Sequence, residues 1–168
     1  MIIRKPQTYM GHPNQEYIRI FLRELFSIPD PEKIAQKTVS FLSDHPVPLS
    51  DFPPFAPLYS RTILYRAENH YEAMAARWSK DAISVIHGHP MFAFYYLLEG
   101  ELSVECFEKS GAKAVRTDTR IYKPGQYFSM LGTPDTFDNG IHRVSAKKES
   151  LSIHIYSDDA MKGQIFTI

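Results

Sequence analysis

The sequence predicts an all-β barrel preceded by short helices. Three observations carry that prediction. After Leu58, strand-length apolar runs recur between turn signals. Aromatic residues make up 13% of the chain, with 10 Tyr and 11 Phe, a composition suited to a strand-lined interior. Helical periodicity is confined to the first quarter.

Taken in order, Asn14 is placed to cap a helix whose apolar residues Tyr17, Ile18, Phe21, Leu22, Leu25 and Phe26 form one stripe. Pro29 ends it. Asp30 followed by Pro31 then reads as a cap with proline at the first helical position. Ile34, Ala35, Thr38, Phe41 and Leu42 give this second helix its apolar face. Both helices are expected to cover one side of the main body. Pro46, Pro48, Pro53, Pro54 and Pro57 mark an extended connector, because proline fixes φ and lacks a backbone donor. The expected strands are 59–67, 71–78, 84–89, 92–99, 101–108, 114–122, 127–130, 141–145, 151–157 and 164–168. Turn residues at Gly100, Gly111, Pro124-Gly125 and Asn139-Gly140 are among the breaks. The organisation expected is a single domain over 1–168: a helical cover (1–45), a proline-rich connector (46–58) and the barrel (59–168).

Composition narrows the function classes. Nineteen Lys and Arg balance 19 Asp and Glu, so neither nucleic acid nor an anionic membrane is an expected partner. Cys106 is the single cysteine, which rules out an intrachain disulfide and implies no oxidising compartment. No apolar run approaches the length of a spanning helix, and the N-terminus has no apolar leader-like stretch. A cytoplasmic enzyme, monomeric or a small homo-oligomer, is the expectation.

The sharpest local feature is His87-Gly88-His89. Alternate residues of a strand share a face, so the two rings point the same way. Gly88 between them suits close backbone approach. Farther on come Leu98-Glu99-Gly100-Glu101, Tyr122-Lys123-Pro124-Gly125 and His142-Arg143-Val144. This order resembles the two motifs of the cupins, whose fold is a double-stranded β-helix or jelly-roll barrel. The resemblance implies that His87, His89 and His142 share one metal ion. The general cupin pattern has a glutamate four or five residues after the second histidine. Here those positions hold Ala93 and Phe94. Three neutral imidazoles result, a set that suits zinc as well as iron.

Four segments narrow the resemblance to cysteine dioxygenase. They are Tyr59-Ser60-Arg61, His87-Gly88-His89, Ile141-His142-Arg143-Val144 and Ser152-Ile153-His154-Ile155-Tyr156-Ser157. Together they span most of the expected barrel. The resemblance implies ferrous iron on the three histidines and a small thiol, L-cysteine, oxidised by dioxygen to the sulfinate. Arg61 and Tyr59 would hold the substrate carboxylate, since a guanidinium offers a planar fork to it. Ser152, His154 and Tyr156 would form a catalytic relay beside the metal. His154 competes with His142 as third ligand, and the His-Arg-Val context favours His142. Many animal members crosslink a cysteine to this tyrosine; Ala93 stands there instead, as in bacterial-type relatives, so Tyr156 is expected to be a free phenol. Three other readings remain: oxidation of another small thiol such as 3-mercaptopropionate, a non-enzymatic metal- or small-ligand-binding cupin, or a zinc or manganese cupin isomerase. His12, His45 and His70 are expected at the surface. Trp78, Phe92, Phe94, Tyr95 and Tyr96 are expected to pack the barrel, with one or two of them lining the pocket.

Overall fold

The computed structural model describes residues 6–11, 15–111 and 113–168. Eleven strands and two helices are seen among them: β1 (Gln7–Met10), α1 (Glu16–Leu25), α2 (Pro31–Asp44), β2 (Tyr59–Arg66), β3 (Glu72–Trp78), β4 (Ile86–His89), β5 (Phe92–Glu99), β6 (Leu102–Ser110), β7 (Lys113–Tyr122), β8 (Tyr127–Leu131), β9 (Asn139–Ala146), β10 (Ser150–Tyr156) and β11 (Ile165–Phe166). They form two sheets. One has six strands in the order β1-β2-β3-β10-β5-β8, and the other has five in the order β11-β4-β9-β6-β7.

The helices form for the reasons their sequence suggests. In α2 the Asp30 carboxylate accepts from the backbone N–H of Glu32 at 3.0 Å, and Pro31 opens the helix. In α1, Ile18, Leu22 and Leu25 recur at helical period and are buried. The expected cap Asn14 and the histidine at 12 lie outside the described residues. The proline-rich connector is mostly extended but contains one 3-10 turn, Leu49–Asp51. Arg77 of β3 pins it by donating to the carbonyl oxygen of Phe52 at 2.5 Å.

Two cores result. The outer one packs α1 and α2 on the back of the six-stranded sheet. It joins Leu22, Leu25 and Ile34 to Phe92, Phe94, Tyr96, Leu151, Ile153 and Ile155. The inner one fills the space between the sheets, with Met74, Trp78, Tyr95, Leu97, Val104, Tyr122 and Val144. A smaller third cluster ties Ile86, Phe107, Ala114, Ile141 and Phe166 together. Strand alternation therefore corrects one expectation. Of the β5 aromatics, only Tyr95 lies between the sheets; Phe92, Phe94 and Tyr96 face the helices. Helix and barrel interior compete for the same aromatic residues, and composition does not say which side wins.

β1 is a strand the sequence did not announce. It pairs parallel to β2, with Gln7 opposite Ser60 and Met10 opposite Ile63. Its four residues show little burial and carry no clear alternation. Among the described residues, no helix is long and apolar enough to cross a membrane.

Candidate active site

Both His87 and His89 lie on β4, and β9 runs antiparallel beside it with His87 opposite His142. A register shift between His87 and His89 brings all three rings together. Their ring centroids are 4.6–4.8 Å apart. One nitrogen from each lies within 4.8 Å of the others. The Nε2 atoms of His89 and His142 are 3.3 Å apart. Two imidazole ligands at about 2.0–2.1 Å from one ion would be separated by roughly 3.0–3.4 Å, so this pair is spaced for a shared metal.

Local contacts support the rings. His87 donates Nδ1–H to the Val85 carbonyl oxygen at 2.9 Å, which leaves its Nε2 lone pair free for a metal. His142 has a hydrogen bond to the Gly140 backbone. His89 differs: its buried Nδ1 has no partner among the described residues. Asn139 instead holds the His89 backbone, donating to its carbonyl oxygen at 3.3 Å. Gly88 meets a real steric demand. A Cβ there would lie 2.5 Å from Asp138 Cα and 2.7 Å from the Phe137 carbonyl oxygen. Any side chain would push the His-Gly-His strand away from the loop that leads to His142.

Burial keeps the imidazoles neutral. It lowers the pKa of His87, and it lowers those of His89 and His142 well below the ordinary 6.5, with neighbouring histidines adding to the effect. Neutral imidazole is the ligating form. The donor set thus fits a transition-metal ion, and three protein nitrogens leave coordination positions open.

The other half of the site comes from the opposite sheet. Ser152, His154 and Tyr156 alternate along β10 and all face inward. Ser152 Oγ lies 2.7 Å from His154 Nε2, and His154 Nδ1 lies 2.8 Å from the Tyr156 hydroxyl. Their neighbours Leu151, Ile153 and Ile155 point to the helices. Tyr156 stacks on His89, with ring centroids 5.2 Å apart and 7° between the planes. Burial, with smaller contributions from Arg61 and His87, pushes His154 down to about 3. Burial also raises the Tyr156 phenol. Ala93 stands opposite Tyr156 on β5, so a methyl group occupies the facing position. Cys106 sits on β6, partly exposed.

A cavity of about 300 Å³ opens onto Tyr156 and onto His87 and His89. Arg61, Tyr59, Met74, His87, His89 and Tyr156 line it, and Leu58, Ile83, Val85 and Met161 form much of its apolar wall. Arg61 is only 2% exposed and is already engaged. Its Nη2 donates to Glu72 at 2.9 Å and its Nε contacts the Met74 sulfur at 3.0 Å. Glu72, itself 0% exposed, takes a second ion pair from Arg66 at 2.5 Å. Tyr59 stacks on Trp78 at 4.1 Å. Glu72 and Met74 were missed as site residues from the sequence, and Trp78, named there among the packing aromatics, touches the site through Tyr59 and Ser152. The signal was present, since a charged residue alternates with alanines on β3 at an inward position.

No protein-family model matches the sequence, and no curated protein matches it. Solved structures do. A cupin superfamily protein from Desulfitobacterium hafniense DCB-2 superposes with a TM-score of 0.52 at 13% identity, over 69% of this chain and 93% of that one. A conserved protein of unknown function from Streptococcus pyogenes gives 0.49 at 13% identity, over 68% and 87%. KdgF from Halomonas sp. gives 0.45 at 21% identity, over 68% and 88%. At these identities the likeness is one of fold. The chain has the cupin fold, and three of its histidines form a cluster that can hold a metal.

Proposed function

We propose that this cupin is an iron-dependent thiol dioxygenase that converts L-cysteine and dioxygen to cysteine sulfinate. One observation carries the reading. The hydrogen-bonded Ser152–His154–Tyr156 row ends in Tyr156, which stacks on His89 and lines the same cavity as a buried arginine, Arg61. A protein that merely stored a metal would have no use for that row, whose burial demands complete pairing.

His87, His89 and His142 would hold the ion. Ferrous iron, when bound, supplies the redox chemistry that lets dioxygen react with a thiolate. The remaining work falls to the chain. Arg61 and Tyr59 bind the carboxylate of the substrate and orient its sulfur toward the histidines. Tyr156 lines the cavity beside His89, and its hydroxyl is held by His154. Leu58, Val85 and Met161 limit water along the apolar part of the cavity wall. The balance is simple: one thiol and one O2 give one sulfinic acid. Sulfur loses four electrons and O2 takes up four, with both oxygen atoms ending on sulfur.

A second substrate has its own observation. Arg61 is the charged residue of the cavity wall, and no carboxylate among the described residues lines it to receive an amine. A thiol acid without an amino group, such as 3-mercaptopropionate, satisfies the same wall. The test is oxygen uptake by ferrous-loaded protein on a thiol panel, with the sulfinate identified by mass spectrometry. Cysteine should be consumed one-for-one with O2. Absence of uptake with every thiol at full iron occupancy would leave a metal-binding cupin without this activity.

A further inference from the structure

We infer that Trp78 is a positioning residue that sets the direction of the relay, so that Tyr156 presents a hydrogen-bond donor to whatever occupies the cavity. The inference takes from the proposed function only that the bound molecule lies against Tyr156. It starts from one contact that the relay itself does not require: the Trp78 indole Nε1–H donates to Ser152 Oγ at 2.9 Å. Trp78 is the single tryptophan of the chain and is 2% exposed. It pairs across the ladders with Tyr59 on one side and Ser150 on the other. From there its ring reaches diagonally to Ser152, and it stacks on Tyr59.

An indole nitrogen can only donate. Ser152 Oγ must therefore turn a lone pair toward Trp78, and its hydrogen cannot occupy that arc. The partners of Ser152 Oγ are Trp78 and His154 Nε2. The hydroxyl hydrogen therefore goes to Nε2, which accepts. A neutral imidazole has one N–H, so the proton of His154 is on Nδ1. Nδ1–H then donates to the Tyr156 oxygen 2.8 Å away. That occupies the phenol as an acceptor and leaves its own hydrogen free to point into the cavity. Reversing the chain would make Tyr156 donate to His154 and show the cavity only lone pairs. A hydroxyl that already accepts also donates more strongly, so the chain is polarised in one sense from Trp78 to Tyr156.

The experiment reads the His154 tautomer by ring 15N NMR on full-length metal-free protein, with His154→Gln assigning the signal. Wild type should carry the proton on Nδ1. Trp78→Phe keeps an aromatic ring on Tyr59 and removes the N–H. A Trp78 replacement by benzothienylalanine keeps the full indole shape with sulfur in place of N–H. Both should show a new Nε2–H population, while circular dichroism shows the native fold. In ferrous-loaded protein the same replacements should lower kcat roughly tenfold or more and leave the thiol KM within about twofold. An Nε2–H tautomer in wild type overturns the inference. So does an unchanged tautomer in both replacements. The tautomer is read without turnover, so a failure of thiol oxidation would not be mistaken for a failure of this assignment.

Discussion

The two sheets divide the site between them and are built very differently. All three histidines come from the five-stranded sheet, on β4 and β9. Arg61, Glu72, Trp78, Ser152, His154 and Tyr156 all come from the six-stranded sheet, on β2, β3 and β10. The six-stranded sheet is backed by α1 and α2, and every residue of β10 is buried. Among the described residues the other sheet has no helices behind it, and its edge strand β7 has only Ala114 and Tyr122 buried. The polar network thus sits where packing on both faces holds strand positions closely. The histidine cluster sits on β4 and β9, backed by the smaller apolar cluster of Ile86, Phe107, Ala114, Ile141 and Phe166, and there coordination itself would add rigidity. A hydrogen-bonded relay needs geometry set in advance, whereas metal ligands can be drawn in by the ion.

That division can be broken experimentally, and the largest effect should come from the histidines. His142→Ala should weaken metal binding by more than the roughly 10–100-fold that losing a mere outer partner of a ligand costs. Metal content and metal-free thermal unfolding measure the two consequences separately. Unchanged metal content would remove His142 from the cluster. Next, Phe94→Ala opens a cavity between the six-stranded sheet and the helices, and should cost about 3–5 kcal/mol in denaturant unfolding. A loss well under that would mean the helices are loosely applied.

Glu72→Gln should cost about 3 kcal/mol, the low end for breaking a buried ion pair, because glutamine still offers an oxygen to Arg61. Its activity readout would be a raised KM for the thiol acid with metal content unchanged. If KM holds, Glu72 does not position Arg61.

Acid should act next. In the folded chain His154 takes up a proton only near pH 3, against 6.5 ordinarily. The unfolded chain therefore binds more protons between those values. Stability of the metal-free protein should fall as pH drops through that window, by about 1.4 kcal/mol per pH unit for this one histidine. His154→Gln should flatten the slope by that amount. The smallest effect belongs to the exposed edge. Arg116→Ala removes a largely exposed partner of Glu105 and should change stability by no more than about 0.5 kcal/mol.

Much of this is legible in the sequence. The strand boundaries follow from turn residues and apolar runs, and the capping of α2 follows from Asp30-Pro31. The shared face of His87 and His89, and that of Ser152, His154 and Tyr156, follow from the two-residue period of a strand. The metal and relay residues come from stretches far apart in the chain, and their grouping came by resemblance rather than from spacing. Less legible were the parts that depend on which neighbour a strand acquires. β1 is too short and too evenly exposed to announce itself. Phe92, Phe94 and Tyr96 had no way to declare that helices, not the barrel interior, would receive them.

The amino-acid order alone decided which side chains share a face, because that is local geometry repeated along each strand. It also placed Ala93 and Phe94 where the cupin pattern has an acidic residue. Only the tertiary structure decided that Arg61 is shared with Glu72 and that Trp78 donates to Ser152. It alone placed Tyr156 flat against His89. Those contacts join strands through register and sheet order, which arise from long-range pairing that no single segment encodes.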